Sequence, residues 1–219
     1  MTNPQERPSV FGRIASILAL TFFLVVLPLG SYIYLKKGYE YQKEAMQGLR
    51  KEQRLTDITG LKLLDGQLPR MEIGESFYLL GLLPASADSE KYASVLKMLH
   101  QQFDIPENLE LWTLFEQGDS STVVAFQRKY KLPVDTAQLL YWGSNQAQFD
   151  QFVGQLALVP EEKATLKDGL IVLLDDSLYI RQAYPYQDEQ ILQKLVERTA
   201  ILLPERDKPK PELRREAEM

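Results

Sequence analysis

An apolar run near the N-terminus is the longest feature of the hydropathy pattern. Residues 14–35 carry no charged side chain. At about 1.5 Å per residue, a helix of this length spans about 33 Å and exceeds the roughly 30 Å hydrocarbon core of a bilayer. A buried core helix rarely stays uncharged for so long, and a cleavable signal peptide has an apolar core of only about 7 to 15 residues. The run therefore predicts an uncleaved transmembrane helix.

The residues that flank this run match a membrane interface. Tyr32 and Tyr34 lie at its end, and Lys36 and Lys37 follow directly. Aromatic rings and lysine side chains are typical of the headgroup region. Residues 36–54 are polar and predict a stalk helix that continues out of the membrane.

Short apolar and amphipathic segments alternate over the rest of the chain. A weakly alternating stretch at 55–64 predicts an edge strand or an extended cover, and Asp65-Gly66 signals a turn. The predicted strands are 77–83, 109–115, 138–142, 169–174 and 178–183. The predicted helices are 89–103, 123–130, 146–158 and 188–203. This order predicts an α/β domain, most simply a thioredoxin-like central mixed sheet with flanking helices.

The predicted organisation has five parts. They are a polar N-terminal segment (1–13), a transmembrane helix (14–35), a juxtamembrane stalk (36–54), a thioredoxin-like domain (55–204) and a charged, flexible tail (205–219).

Composition excludes several classes of function. The chain has no cysteine, so it has no thiol nucleophile, thiolate ligand or dithiol couple. It has one histidine, His100, so a single chain has no site with two imidazole ligands. A net charge of −5 gives no general attraction to nucleic acid. We therefore expect no nucleic-acid partner and no cofactor.

Several polar residues are candidates for chemistry, and each has a simpler interpretation. His100 could be a lone metal ligand or a general base. It lies on a predicted helix beside two glutamines, so we favour a solvent-facing side chain. Asp175 and Asp176 suit a cation but also suit a hairpin turn, the favoured interpretation. Glu161 and Glu162 follow a proline and fit the first turn of a short helix.

The loop at residues 85–89 and two tyrosines are the candidate binding features. Free N–H groups at the following helix favour an anion, but Asp88 or Ser89 is expected to cap that helix. Tyr184 and Tyr186 flank a proline, and we predict partial exposure, in either an ordinary loop or a protein contact. Four other aromatic residues are predicted to be core: Trp112, Trp142, Tyr141 and Phe149.

Two stretches resemble the Sco/SenC family of membrane-anchored thioredoxin-fold proteins, which assist copper-centre assembly in cytochrome c oxidase. They are the strand-loop-helix at 77–103 and the terminal unit GLIVLLDDSLYIRQAYPYQDEQILQKLVERTAILLPE. On this resemblance the family's two cysteines fall at Ala85 and Ser89, and its copper-binding histidine falls at about Lys167. A hydroxyl and an ammonium are poor ligands for soft copper. The resemblance therefore implies a divergent member without copper or thiol chemistry.

The resemblance also implies a role and a location. We expect a non-catalytic accessory subunit or assembly factor of a respiratory membrane complex that belongs to the cytochrome c oxidase branch. Residues 14–35 are expected to hold the protein in the bilayer. The alternatives are a thiol-independent ligand binder or enzyme that uses the 85–89 loop, and an envelope scaffold unrelated to respiration. The resemblance places the domain in the periplasm, anchored in the inner membrane.

Charge near the apolar run argues for the opposite orientation. The N-terminal flank carries two basic residues and the C-terminal flank carries six: Lys36, Lys37, Lys43, Arg50, Lys51 and Arg54. The positive-inside rule then predicts a cytoplasmic domain. We follow the resemblance, because large domains translocate despite flanking basic residues.

Overall fold

The structure is a computed structural model that describes residues 10–49, 53–55, 62–63, 74, 76–103 and 108–203. The chain divides into two compact units, residues 1–48 and 49–219. The predicted tail at 205–219, the turn at Asp65-Gly66 and most of the strand predicted at 55–64 lie outside the described residues.

The described part of the N-terminal unit is one continuous helix. It consists of α1 (Val10–Thr21), a π-helical turn (Phe22–Val26) and α2 (Leu27–Gln47). The π-helical turn ends two residues before Pro28, which has no N–H to donate and whose ring clashes with the preceding turn of a regular helix. Residues 16–47 are long and apolar enough to cross a membrane, with a mean hydropathy of 2.1 over the best window and no buried residue in it. This confirms one membrane-span candidate, and the helix already begins within the segment predicted as polar.

The predicted stalk helix is correct only in part. α2 ends at Gln47, before Gly48. Residue Arg54 is not helical but forms an antiparallel bridge with Tyr179, and the Leu55 N–H donates to the Leu178 carbonyl at 2.9 Å. The sequence 53–55 therefore belongs to the sheet region of the second unit.

Within the described residues, the second unit contains a six-stranded mixed sheet. Its strands are β1 (Lys62–Leu63), β2 (Phe77–Leu83), β3 (Leu109–Phe115), β4 (Leu139–Gly143), β5 (Leu170–Leu174) and β6 (Ile180–Pro185). The order is β1-β4-β3-β2-β5-β6. The pairs β2–β3 and β3–β4 are parallel, whereas β1–β4, β2–β5 and β5–β6 are antiparallel. The predicted central mixed sheet is confirmed.

Helices cover both faces of this sheet. They are α3 (Ser89–Gln102), α4 (Ser120–Tyr130), α5 (Gln146–Gln155), α6 (Pro160–Thr165) and α7 (Glu189–Leu202). Side chains of α3, α4 and α7 share one core with Leu79, and side chains of α5 share the other with Leu80. Adjacent strand residues point to opposite faces, so a strand covered on both sides is buried throughout, as β2 is.

The predicted core aromatics are buried. Trp112, Trp142, Tyr141 and Phe149 are all less than 9% exposed. The helix predicted at 146–158 ends earlier, at Gln155, because Ala157 adopts a left-handed conformation with φ of 43°.

The predicted hairpin turn at Asp175 is confirmed. Asp175 Oδ1 accepts hydrogen bonds from the N–H groups of Ser177 at 3.0 Å and Tyr179 at 2.8 Å. Its other oxygen lies 2.7 Å from Arg181 Nη2, and both side chains are largely buried. The carboxylate thus fixes the turn and neutralises a buried guanidinium.

The predicted short acidic helix is also present as α6. Glu162, in its first turn, is only 9% exposed. Its carboxylate accepts hydrogen bonds from the N–H groups of Val159 at 2.9 Å and Ala183 at 3.2 Å. Because Ala183 lies in the edge strand β6, this contact also covers a donor of that edge.

Candidate functional site

The candidate site is the loop at residues 84–89, between β2 and α3. Parallel pairing sets Leu83 opposite Phe115, so β2 and β3 end at the same edge of the sheet. Antiparallel pairing sets Leu82 opposite Leu170, so β5 begins there. This topology brings Glu116 and Lys167, which are 31 and 81 residues from their partners in the loop, against residues 85 and 86.

Two hydrogen bonds fasten the loop to the neighbouring chain segments. The Ala85 N–H donates to Glu116 Oε2 at 2.6 Å, and Ser86 Oγ donates to the Lys167 carbonyl at 2.7 Å. Glu116 is only 9% exposed, so its carboxylate forms this bond largely away from water. A bond to a charged acceptor under these conditions is stronger than one between neutral groups. Glu116 is therefore a buried anchor for the loop.

The start of α3 is capped by Asp88, which resolves the two capping alternatives. Asp88 Oδ1 accepts hydrogen bonds from the N–H groups of Glu90 and Lys91, each at 3.0 Å. Ser89 is the first helical residue and is half-buried. The N–H groups that would favour an external anion are already bound to a carboxylate of the chain.

Two tyrosines pack against glycines beneath the loop. A Cβ at Gly81 would lie 1.9 Å from the Tyr92 hydroxyl, and a Cβ at Gly169 would lie 2.4 Å from Tyr186 Cε1. The two rings are 5.2 Å apart, and the Tyr92 hydroxyl hydrogen-bonds to Thr113 Oγ1 at 2.7 Å. These glycines therefore provide the space in which the rings pack.

Burial removes both phenols from acid–base chemistry near neutral pH. It raises the pKa of Tyr92 far above its usual range and also raises the pKa of Tyr186, to which Asp88 and Asp168 add their negative charge. The Tyr186 hydroxyl instead donates a long hydrogen bond of 3.4 Å to the Asp88 carbonyl. Tyr186 thus supports the loop from below.

The predicted exposure of Tyr184 and Tyr186 is wrong. Tyr184 is 1% exposed and Tyr186 is 0% exposed. β6 continues through Pro185, which an edge strand tolerates, so Tyr184 lies within the strand. Tyr186 follows and covers Gly169. Neither ring is available as an anchor for a protein contact.

The predicted solvent-facing position of His100 is also wrong. Its Nε2 atom lies 3.0 Å from Asp135 Oδ2, and its side chain is only 17% exposed. Asp135 also accepts hydrogen bonds from the N–H groups of Ala137 and Gln138, each at 3.1 Å. The pair joins the end of α3 to the segment before β4, and it lies in a different part of the domain from the 84–89 loop.

The three positions implied by the resemblance lie around the loop. Ala85 and Lys167 are exposed and Ser89 is half-buried. The contact between the loop and residue 167 is formed by the Ser86 hydroxyl and the Lys167 carbonyl, not by the side chains of those three residues. Among the described residues, no group of three or more His, Cys, Asp or Glu side chains has a metal-binding arrangement.

Comparison with solved structures places the domain among known folds. A protein from Bacteroides thetaiotaomicron assigned as a disulfide isomerase superposes with a TM-score of 0.53 at 14% identity, covering 72% of this chain and 92% of that one. A SCO1/SenC family lipoprotein from Bacillus anthracis superposes with a TM-score of 0.51 at 11% identity, covering 70% and 96% respectively.

The domain has a thioredoxin-like fold. The predicted fold class is therefore confirmed, and Sco/SenC proteins are among its structural neighbours, as the sequence resemblance implied. No protein-family model matches the chain, and no curated protein sequence matches it significantly.

Loss of the Glu116 carboxylate should loosen the loop. We expect Glu116→Ala to lower the free energy of unfolding by about 2 kcal/mol, because the Ala85 N–H loses its acceptor. Glu116→Gln retains an acceptor and should lose less. Thermal unfolding measures the stability, and amide hydrogen exchange at Ala85 measures the opening of the loop. Unchanged exchange at Ala85 in Glu116→Ala would contradict the proposed anchor.

The His100–Asp135 pair should affect stability in acid. The hydrogen bond to His100 lowers the pKa of Asp135 below its ordinary value. A carboxylate with a lowered pKa stabilises the fold above its unfolded pKa of about 3.9, and this stability is lost as the pH falls through the lower folded value. As the pH falls from about 4 to about 2, the free energy of unfolding of His100→Gln should decrease less than that of the original protein. Urea unfolding at each pH measures this decrease. Parallel pH profiles would contradict this interaction.

Proposed function

We propose that this protein is a membrane-anchored accessory subunit or assembly factor of a respiratory complex of the cytochrome c oxidase branch. It acts by docking rather than by copper or thiol chemistry. The Sco/SenC resemblance supports the respiratory setting, and the fold similarity agrees with that resemblance. The non-catalytic role is supported by residues of the chain itself.

The observation that carries the proposal is how the loop uses its polar groups. At the two positions where the Sco/SenC resemblance places thiols, the loop presents the side chains of Ala85 and Ser89. The Ala85 N–H is bound to Glu116, Ser86 Oγ is bound to the Lys167 carbonyl, and Asp88 caps α3. These groups hold the loop in position, and a soft metal has no thiolate donor anywhere in the chain.

The apolar helix explains how docking is effective without a large interface. Anchoring of residues 14–35 confines the domain to the membrane that holds its partner. Confinement raises the effective concentration, so a weak contact gives high occupancy. We propose the inner membrane and a periplasmic domain. Protease access in intact spheroplasts tests the orientation, and a protected domain would overturn it.

Purification under mild conditions tests the proposed partner. A tagged full-length protein, extracted from its native cells in mild detergent, should carry oxidase subunits detected by mass spectrometry and a haem absorption band. Untagged cells provide the matched control. Recovery of the protein alone and colourless would overturn the respiratory assignment, and recovery with colourless envelope proteins would favour the scaffold alternative.

A further inference from the structure

A small apolar groove lies between α4 and the segment that leads to β4. Its volume is about 220 Å³. In the described part of the second unit, three large apolar side chains are exposed, and two of them line this groove: Val124, at 50%, and Val134, at 87%. The third, Val159, is 36% exposed and does not line it. Two exposed valines at one groove form an apolar patch, whereas a single exposed valine needs no explanation.

The backbone after α4 holds Val134 on the surface. Lys131 ends the helix in a left-handed conformation with φ of 51°, which turns the chain away from the helix axis. The Leu132 N–H then donates to the Gln127 carbonyl at 3.0 Å, and the Leu132 side chain is buried. Pro133 follows with its fixed φ. The exposed position of Val134 is therefore set by the chain reversal.

Two cationic side chains lie beside this groove. Val124 and Gln127 line the groove, so the same face of α4 carries Arg128, four residues after Val124. Lys131 ends that face, four residues after Gln127. Arg128 and Lys131 are both exposed, and neither belongs to an ion pair within the described ranges. Their charges are therefore available to a partner.

The neighbouring charges are already bound within the chain. Asp135 also lines the groove, but its carboxylate contacts His100 Nε2 at 3.0 Å and accepts hydrogen bonds from two backbone N–H groups. The Lys129 ammonium lies over the ring of Tyr130, 4.7 Å from its centroid. The charge that the patch offers is therefore positive, although the whole chain has a net charge of −5.

A surface of anionic lipid headgroups is the partner that fits this patch. Proteins bind at a membrane interface through exposed apolar side chains beside Lys and Arg, which attract anionic lipids. Each basic residue near such a surface strengthens binding about fivefold, so two are too few to recruit a free protein. A domain that residues 14–35 already confine to the bilayer needs no more than this weak attraction.

We propose that Val124, Arg128, Lys131 and Val134 form a surface through which the anchored domain docks reversibly on anionic phospholipid headgroups. The fraction of docked domain then depends on the content of anionic lipid and on the ionic strength. This inference rests on the proposed membrane anchor and is independent of the respiratory assignment.

The absence of native cysteine allows one polarity-sensitive dye to report on the patch. The full-length variant Thr136→Cys carries the dye at the groove and keeps both valines and both cations. It is reconstituted in nanodiscs of phosphatidylcholine alone or of phosphatidylcholine and phosphatidylglycerol in equal parts. The matched control Gln151→Cys carries the dye on an exposed position of α5, which packs on the other face of the sheet from α4.

We expect a blue shift of the dye at Thr136→Cys in the anionic nanodiscs and its loss in about 1 M salt, where the Debye length is roughly 3 Å. Arg128→Gln/Lys131→Gln should lower the docking equilibrium constant about 25-fold, a factor of about five for each cation. Lys163→Gln/Lys194→Gln removes the same charge from other exposed positions and should lower it far less.

The outcomes separate the anchor, the lipid and a protein partner. A chain that does not co-migrate with the nanodiscs overturns the anchor and the docking together. Co-migration without a shift, an equal shift at Thr136→Cys and Gln151→Cys, or an equal shift in neutral and anionic nanodiscs overturns the docking alone. A shift in native membranes but not in anionic nanodiscs would assign the patch to an acidic protein instead.

Discussion

Replacement of Asp175 by alanine is expected to lower the free energy of unfolding by about 3 to 5 kcal/mol. The change leaves the largely buried Arg181 guanidinium without the carboxylate that lies 2.7 Å away. It also removes the acceptor for two N–H groups of the hairpin turn, those of Ser177 and Tyr179. Urea unfolding followed by circular dichroism measures the loss.

A double variant separates the ion pair from the turn. Asp175→Ala/Arg181→Met removes the buried charge as well, so it should be more stable than Asp175→Ala alone. The exposed pair of Lys91 and Glu189 is the matched control, and Glu189→Ala should cost less than about 1 kcal/mol. A loss in Asp175→Ala no larger than in Glu189→Ala would show that the buried pair has no special role.

Replacement of Gly81 by alanine should cost about 3 kcal/mol, because the new methyl group has no space. Its Cβ would lie 1.9 Å from the hydroxyl and 2.6 Å from Cζ of Tyr92, a ring that is 1% exposed and hydrogen-bonded to Thr113. The ring must therefore move, and its movement disturbs the support of the 84–89 loop. Thermal unfolding and tyrosine near-ultraviolet circular dichroism measure both effects.

Gly154 provides the matched control for this substitution. It lies in α5, and a Cβ there would meet no atom within 4 Å. Alanine is favoured over glycine inside a helix by about 1 kcal/mol, so Gly154→Ala should stabilise the protein slightly. Equal destabilisation by the two substitutions would contradict the packing argument.

The sequence was sufficient to predict those features that depend on local patterns. The strands at 77–83 and 109–115 are short apolar runs bounded by polar residues, and both have the bounds that the structure shows. The turn at Asp175 was predictable because aspartate stabilises turns through its own neighbouring N–H groups.

Features that depend on distant contacts were not predictable in this way. The Ala85–Glu116 and His100–Asp135 bonds join residues 31 and 35 positions apart, and no periodicity marks either pair. Tyr-Pro-Tyr at 184–186 has the composition of a loop, but Tyr186 is buried because Gly169 leaves room for its ring. Only the folded sheet places that glycine beneath that tyrosine.

Complementation of oxidase activity tests the central claim most directly. Cells that lack the protein should show reduced cytochrome c oxidase activity in their membranes. The variant Ser86→Ala/Ser89→Ala/Lys167→Ala removes the loop hydroxyls and the Lys167 ammonium, at a cost of about 1 kcal/mol for the Ser86 bond. We predict that this variant, expressed at the normal level, restores oxidase activity as well as the original protein does. Failure of the folded variant to restore activity, or normal activity without the protein, would contradict the account.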